Sequence, residues 1–227
     1  MKLNDIQRKI ASVIDHTALK ANTTMTDIER LCREAKDFSF ASVCILPFYV
    51  PYAKKMLQGS NVNICTVIGF PLGGSYPDIK LASAKTALQD GAEELDMVMN
   101  ISAFLNRDYA FVQEEIELVV HIARLKDAIV KVIIETCYLK EEQKIKSCEI
   151  ICAANADFVK TSTGFSEGGA TVEDVLLLKK NLGDKAKVKA SGGVRTAAFA
   201  LELINAGADR LGASASVGII KDAGKML

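Results

Sequence analysis

The sequence has no excess of charge of either sign, because 28 Lys and Arg residues balance 28 Asp and Glu residues. Neither half of the chain carries a block of basic residues. Binding to nucleic acid or to a membrane surface without sequence preference depends on such an excess. We therefore expect neither of these partners, while a few local cations would suffice to bind a small anionic substrate.

Long apolar runs are also missing from the sequence. No apolar stretch approaches the ~20 residues that span a bilayer, and residues 1–8 are too polar for a signal peptide. The six cysteines have no regular spacing, which is typical of reduced thiols, so we expect a cytoplasmic protein. Cys148 and Cys152 have a ligand-like spacing but no histidine near them, and we expect no metal site there.

The chain does contain short apolar segments that alternate with longer amphipathic stretches, as strands alternate with helices in α/β proteins. Short runs rich in Val and Ile suit parallel strands that are buried on both faces. The predicted strands cover residues 12–16, 41–46, 62–70, 95–100, 130–136, 158–162, 187–191 and 209–213, and the predicted helices cover residues 27–36, 79–89, 108–126, 141–154, 171–181 and 196–206.

This alternation predicts an α/β fold, and specifically a single (β/α)8 TIM barrel in which residues 1–227 form one domain. A doubly wound open sheet is the alternative. Its nucleotide-binding form is disfavoured, because residues 16–19 after the first strand are His-Thr-Ala-Leu and not a glycine-rich turn.

Polar residues stand at the carboxyl ends of several predicted strands. In a barrel these ends meet at one mouth, which is where barrel enzymes carry out their chemistry. The convergence predicts an active site more strongly than any single residue does. The residues are Asp15, His16, Thr17, Asp96, Asn100, Glu135, Thr136, Lys160, Thr161, Lys189 and Ser191.

Lys160 is a candidate nucleophile because it lies within the short apolar segment 158–162. A lysine in such a segment is unfavourable unless it is paired or neutral. Strand alternation places Lys160 and Phe158 on the same face. If that face is the barrel interior, partial desolvation favours the neutral amine, which is the nucleophilic form. A surface lysine at the end of a strand fits the same segment.

Lys189 lies on the next predicted strand and supports the first interpretation. Two ammonium groups that face each other across adjacent strands repel, and the repulsion favours the neutral form of one of them. Asp96, an acid within an apolar strand, supplies a counter-charge for the pair. The alternative for Asp96 is a structural acid that anchors a loop or pairs with a lysine.

Two turns of small residues, 191–193 and 212–214, follow the seventh and eighth predicted strands. Glycine lets the backbone approach an anion closely, and barrels often bind phosphate between these two loops. A Gly-Gly pair by itself usually marks only a turn. Two such turns at these positions predict a phosphate site.

Six segments resemble the deoxyribose-phosphate aldolase family, in the order found in that family and along essentially the whole chain. They are residues 13–19, 67–73, 94–100, 132–137, 158–165 and 188–195. The last two segments are the most specific, since together they carry the lysine that forms a Schiff base in the family and its partner lysine.

The resemblance implies a (β/α)8 barrel that reversibly cleaves 2-deoxy-D-ribose 5-phosphate to D-glyceraldehyde 3-phosphate and acetaldehyde, in deoxyribose phosphate catabolism. It implies that Lys160 forms the Schiff base, that Lys189 perturbs it and that Asp96 belongs to the proton relay. The family needs no metal ion and no organic cofactor, and its members are commonly dimeric. The resemblance assigns substrate binding to Asp15, Thr17, Gly164, Gly192, Gly193 and Ser214.

The sequence departs from the family pattern at two places that bear on activity. Ala215 stands where family members often carry a second serine, which predicts slightly weaker phosphate binding. The sequence ends in Lys225-Met226-Leu227 and not in the terminal tyrosine that assists proton transfer in many members, which predicts slower enamine protonation. A Schiff-base aldolase with another substrate, a barrel that only binds a sugar phosphate, and a metal-dependent aldolase are the alternative functions.

Overall fold

The structure of the protein is a computed structural model that describes residues 3–226. Residues 1, 2 and 227, which the prediction of a single domain includes, lie outside the described residues. So does the prediction that rests on Leu227 in place of a terminal tyrosine. The strands of the barrel are β1 (Ile14–Ala18), β2 (Ser42–Ile45), β3 (Asn63–Ile68), β4 (Glu94–Val98), β5 (Ile129–Ile133), β6 (Phe158–Lys160), β7 (Lys187–Ser191) and β8 (Arg210–Ala213).

The eight strands form a closed parallel barrel in chain order, and β1 pairs with both β2 and β8. The predicted (β/α)8 barrel is therefore confirmed. The helices of the described chain are α1 (Asp5–Ala11), α2 (Met25–Phe38), α3 (Val50–Met56), α4 (Pro77–Asp90), α5 (Ile101–Leu105), α6 (Tyr109–Arg124), α7 (Glu141–Ala153), α8 (Val172–Leu182), α9 (Ala197–Asn205) and α10 (Ser216–Ala223).

Threonines begin several of the helices on the outside of the barrel. Thr24, Thr171 and Thr196 stand at the N-caps of α2, α8 and α9, and each side chain accepts a hydrogen bond from a backbone N–H of the first turn. These bonds satisfy donors that have no partner within the helix. Four helices, α1, α3, α5 and α10, have no counterpart among the predicted ones. They have 5 to 8 residues, which is too short for a helical period to stand out.

The fifth strand ends earlier than predicted. β5 stops at Ile133, Glu135 has a left-handed backbone with φ 53°, and residues 136–138 form a 3₁₀ turn. The backbone N–H groups of Ile134 and Thr136 still donate to carbonyls of the segment that begins with β6. The apolar pattern continues through this region, so it does not mark the point where the chain leaves the barrel.

The register of the strands decides which charged side chains share the interior of the barrel. Asp96 lies opposite Lys131, Lys160 lies opposite Lys189, and Lys189 lies opposite Arg210. Residues in register on parallel strands point to the same side of the sheet. The apolar core lies between the outer face of the barrel and the helices. Within residues 3–226, no helix has both the length and the apolar character needed to cross a membrane.

Candidate active site

A single carboxylate oxygen joins the two lysines singled out from the sequence. Asp96 Oδ2 lies 2.8 Å from Lys160 Nζ and 2.6 Å from Lys189 Nζ. The three residues come from β4, β6 and β7, and all three are buried. The structure thus brings the predicted nucleophile, its partner lysine and the predicted acid into direct contact.

The surroundings keep Asp96 ionised and Lys189 protonated. Burial by itself raises the pKa of Asp96, but the cations of Lys131, Lys160 and Lys189 lower it more, so that it lies well below its ordinary value. Burial by itself lowers the pKa of Lys189, but the carboxylates of Asp15 and Asp96 raise it above its ordinary value. Lys160 pairs with one carboxylate and Lys189 with two. Neighbouring carboxylates therefore compensate the charge of Lys189 more fully than that of Lys160.

Asp15, which the resemblance places among the substrate-binding residues, lies below the cavity floor and is fully buried. One of its oxygens pairs with Lys189, and the other accepts a hydrogen bond from Arg210 Nε at 2.7 Å. Burial raises the pKa of Asp15, but Lys189, Lys131 and Arg210 lower it more, to well below the ordinary range. Its contacts in the structure are therefore with charged side chains of the protein.

A cavity of about 860 Å³ opens at the carboxyl ends of the strands. Lys160 lies at the inner end of this cavity, whereas Asp96 and Lys189 lie behind it and do not line it. The cavity also receives five of the residues that were predicted to bind substrate. They are Thr17, Gly164, Gly192, Gly193 and Ser214.

Three glycine residues of the cavity have backbones that favour glycine. Gly164, Gly192 and Gly193 have φ values of 82°, 86° and 79°, in the left-handed region that other residues rarely occupy. Ser214 lies just before α10, and the positive end of a helix dipole favours an anion. The cavity therefore has the backbone geometry of an anion site at the position predicted for the phosphate.

The comparisons with known proteins agree with this geometry. The model of the DeoC/LacD family aldolases matches residues 9–221. The chain is 55% identical over 215 residues to the deoxyribose-phosphate aldolase of Carboxydothermus hydrogenoformans, covering 94% of each chain. It is 54% identical to the deoxyribose-phosphate aldolase of Caldicellulosiruptor saccharolyticus, covering 95% of this chain and 99% of that one.

The chain belongs to the DeoC/LacD family of aldolases. Among solved structures, it is similar to the tetrameric deoxyribose phosphate aldolase from Aeropyrum pernix, with a TM-score of 0.91 and 33% identity. That likeness covers 97% of this chain and 93% of the other. The closed barrel described above is thus that of an aldolase.

The barrel interior also holds two cations and one acid that are not among the residues predicted from the sequence. Lys131 Nζ lies 2.9 Å from Asp96 Oδ1 and 2.5 Å from Glu94 Oε2, and Arg210 Nη2 lies 3.0 Å from the same oxygen of Glu94. Lys131 stands in the middle of an apolar strand, which is the same sequence signal that marks Lys160 as a candidate.

We call these seven residues the charge cluster: Asp15, Glu94, Asp96, Lys131, Lys160, Lys189 and Arg210. When all of them are ionised, four cations face three carboxylates, which leaves one positive charge in excess. The loss of one proton from an amine brings the cluster to neutrality. Lys160 is the only lysine of the cluster that lines the cavity.

Two thiols complete the surroundings of Asp96 in this aldolase. Cys65 Sγ lies 3.1 Å from Asp96 Oδ1, and Cys44 Sγ lies 3.9 Å from Asp96 Oδ2. Burial raises the pKa of the Cys65 thiol well above its ordinary value. These three groups are close enough to share a cation, as are Asp15, Cys65 and Glu94. The carboxylates of both sets are already paired with amine and guanidinium groups.

His16 connects the first strand to the start of α10. Its Nδ1 lies 3.0 Å from Ser216 Oγ, and its Nε2 lies 2.8 Å from Glu34 Oε2. Burial lowers the pKa of His16, although Glu34 acts in the opposite direction. The ring lies at the edge of the cavity, where its hydrogen bonds hold the β1 end next to the predicted phosphate site.

Proposed function

We propose that this protein is a deoxyribose-phosphate aldolase, which reversibly cleaves 2-deoxy-D-ribose 5-phosphate through a Schiff base on Lys160. One observation carries the proposal: Lys160 lines the cavity while its amine contacts Asp96, and the other two lysines of the charge cluster lie behind it. A protein that only binds a sugar phosphate has no use for this arrangement. The curated relatives named for this activity support the choice of substrate.

The reaction begins when the neutral amine of Lys160 attacks C1 of the open-chain aldehyde. The carbinolamine loses water and leaves a protonated imine, which accepts electrons from the neighbouring carbons. Lys189 and Lys131 remain ammonium ions and keep Asp96 ionised. The site thus holds both a proton donor and a proton acceptor next to the new C–N bond.

Cleavage follows when the C3 hydroxyl loses its proton to a water molecule held near Asp96 and Lys189. The C2–C3 bond breaks, its electrons move into the imine, and D-glyceraldehyde 3-phosphate leaves. The enamine that remains on Lys160 takes up a proton at its terminal carbon. Hydrolysis then releases acetaldehyde and restores the amine.

The phosphate group supplies binding energy at a distance from the bond that breaks. We assign it to Gly164, Gly192, Gly193 and Ser214, which line the cavity. Backbone N–H groups at left-handed turns and at the start of a helix bind an anion without a side chain. Binding of the phosphate fixes the position of the sugar, so that C1 stays within reach of Lys160.

We infer further that one domain carries out this reaction in the cytoplasm as a homodimer, without a metal ion or an organic cofactor. All six cysteines are free thiols, which suits a reducing compartment. The amines of the charge cluster occupy the positions from which a cation would bind its carboxylates. A chelator should therefore leave the cleavage rate unchanged, and a loss of activity restored by one divalent metal would contradict this part of the proposal.

The decisive experiment measures aldehyde release from 2-deoxyribose 5-phosphate and traps the intermediate with borohydride in the presence of acetaldehyde. We expect cleavage by the unaltered protein and a stable ethyl adduct on Lys160. Lys160→Ala should lose both, and Asp96→Asn should lose most of the cleavage. Lys187→Ala, which removes an exposed lysine from β7, should retain both activities.

The same experiment separates the alternatives. An adduct on Lys160 without cleavage of this substrate would indicate a Schiff-base aldolase with another substrate. The absence of both the adduct and the cleavage would exclude the proposed chemistry and leave a barrel that only binds its ligand.

A further inference from the structure

Glu135 is a buried acid that the aldolase mechanism does not use. Its side chain is 1% exposed, and it neither lines the cavity nor belongs to the charge cluster. Its backbone is left-handed, with φ 53° and ψ 70°, a conformation that is unfavourable for any residue with a Cβ atom. Such conformations persist where the surrounding structure requires them, and they are concentrated at functional sites.

The carboxylate of Glu135 binds one residue of the loop that links β6 to α8, which we call the 161–170 loop. The backbone N–H of Thr163 lies 3.2 Å from one oxygen and 3.3 Å from the other. The Thr163 hydroxyl donates to Glu135 Oε2 and accepts from the backbone N–H of Phe165 at 3.1 Å. These bonds hold the residues on both sides of Gly164.

The far end of the same loop is fixed by close backbone contact with β7. The N–H of Ala170 donates to the carbonyl oxygens of Ser191 and Gly192, at 3.0 Å each. A Cβ atom on Gly169 would lie 2.5 Å from Gly192 O, so the two chains approach more closely than side chains permit. The 161–170 loop is therefore held at one end by Glu135 and at the other by the turn that carries Gly192 and Gly193.

We propose that Glu135 is a positioning residue that sets the distance between Gly164 and the turn at Gly192 and Gly193, and thereby controls binding of the substrate phosphate. The inference rests on the proposed function and adds a residue to it. Glu135 acts through Thr163 and touches no reacting atom. Its loss should weaken the grip on the phosphate and leave the chemistry at Lys160 intact, since Lys160 and Asp96 lie on strands that Glu135 does not contact through its side chain.

The test compares two substrates, 2-deoxyribose 5-phosphate and 2-deoxyribose, with three variants. Glu135→Leu removes the acceptor, and we expect the KM for the phosphorylated sugar to rise about tenfold or more, as for the loss of hydrogen bonds to a charged group. The kcat/KM for the unphosphorylated sugar should change by less than about threefold, because no bond to its atoms is lost. Glu135→Gln keeps one acceptor oxygen for the Thr163 N–H. Its KM for the phosphorylated sugar should therefore lie between that of the unaltered protein and that of Glu135→Leu.

Tyr138→Phe is the matched control, since it alters an exposed side chain three residues along the same turn. Its KM should equal that of the unaltered protein for both sugars. Equal losses on both sugars in the Glu135 variants would overturn the proposal, because they would indicate general support of the barrel. If Glu135→Leu does not fold, Glu135→Gln and Thr163→Val provide the same comparison, and no change in KM for either would also overturn it.

Borohydride trapping with acetaldehyde and titration with inorganic phosphate keep this inference separate from the proposed function. The adduct on Lys160 should form equally in Glu135→Gln, since acetaldehyde carries no phosphate. If the unaltered protein forms no adduct, the proposed function fails. Inorganic phosphate should still bind more weakly to Glu135→Gln than to the unaltered protein in calorimetry, and equal binding would then overturn the role of Glu135.

Discussion

Lys160, Lys189 and Lys131 share one acid but differ in what else surrounds them. Lys189 also pairs with Asp15, and Lys131 also pairs with Glu94, whereas the amine of Lys160 pairs with Asp96 alone and faces the cavity. The three lysine side chains are chemically identical, but they differ in the number of carboxylates that they contact and in whether they reach the cavity.

Lys131 holds the oxygen of Asp96 that does not touch Lys160. We expect Lys131→Met to reduce the unfolding free energy by about 3 kcal/mol, since it leaves two buried carboxylates without their shared cation. It should also reduce kcat by about tenfold or more, because Asp96 becomes free to rotate away from Lys160. Chemical denaturation and steady-state kinetics measure both effects.

Lys126→Met is the control for this prediction, because Lys126 is exposed and lies outside the barrel. It should change stability by less than about 0.5 kcal/mol. If Lys131→Met were as stable and as active as that control, the contacts of Lys131 with Asp96 and Glu94 would have no role in the site.

The elements around the site are joined by a second buried ion pair, outside the barrel. Lys80 of α4 donates to Glu115 Oε2 of α6 at 2.6 Å and to the carbonyl oxygen of Val98 at 2.9 Å. The other oxygen of Glu115 accepts from the backbone N–H of Asn100 at 2.5 Å. The pair therefore holds the end of β4, the strand that carries Asp96.

We expect Glu115→Leu to reduce the unfolding free energy by about 3 kcal/mol, because it leaves the buried ammonium of Lys80 without a counter-charge. The double variant Lys80→Met with Glu115→Leu should recover much of this loss, since an apolar pair needs no counter-charge. Urea denaturation of the single and double variants measures the coupling. Additive losses in the double variant would show that the two residues do not act as a pair.

The 161–170 loop and β7 offer a test of close backbone packing at the scale of one loop. A Cβ atom at Gly192, which has φ 86°, would lie 2.9 Å from the Cα of Gly169. We expect Gly192→Ala to lower the unfolding free energy by about 1–3 kcal/mol. It should also raise the KM for the phosphorylated substrate, since the two loops of the phosphate site must separate.

Gly59→Ala is the control, because it distinguishes the effect of backbone strain from that of a steric clash. Gly59 also has a left-handed backbone, with φ 76°, but nothing lies within 4 Å of a Cβ atom there. It should cost about 1 kcal/mol of stability and leave KM unchanged. A KM for Gly192→Ala equal to that of Gly59→Ala would mean that the close approach does not shape the phosphate site.

At the scale of the whole molecule, the barrel interior is filled by charges at the level of the site and not by apolar side chains. A buried ion pair contributes little net stability compared with an apolar pair of the same shape, so the charge cluster is a functional device. Its effect on stability depends on pH, because the pKa values of Asp15 and Asp96 are lowered in the folded protein.

We expect the unfolding free energy to fall as the solution becomes acidic. Burial raises the pKa of Asp15 and of Asp96, but the neighbouring cations lower both more, so the unfolded chain binds protons below about pH 4 that the folded chain does not. His16 acts in the same direction from its ordinary pKa of 6.5 downward, because burial lowers its pKa. Glu115 opposes them, since burial raises its pKa.

Urea unfolding between about pH 3 and pH 8 measures this dependence. The fall below about pH 4 should be shallower in Asp96→Asn, which removes one of the lowered carboxyl groups, and unchanged in Asp37→Asn, where the acid is exposed. Identical slopes for Asp96→Asn and the unaltered protein would contradict the ionised state of Asp96 in the fold.

The sequence by itself determined the architecture and the centre of the site. Short apolar strands that alternate with amphipathic helices indicate an α/β fold with a parallel sheet, because both periods are local. The absence of a glycine-rich turn after the first strand and the resemblance to the aldolase family favoured the barrel over an open sheet. A lysine or an aspartate within such a strand stands out for the same local reason. This is why Lys160, Lys189 and Asp96 stood out as candidates, while the resemblance to the aldolase family suggested their roles.

Only the tertiary structure decided how these groups share charge. The register across β4, β5 and β8 brings Lys131, Glu94 and Arg210 into the cluster, and it places Asp15 behind the cavity with Lys189. The left-handed turn at Glu135 depends on Thr163, 28 residues away. Contacts between residues that are distant in the chain decide these features, and no local pattern of polar and apolar residues records them.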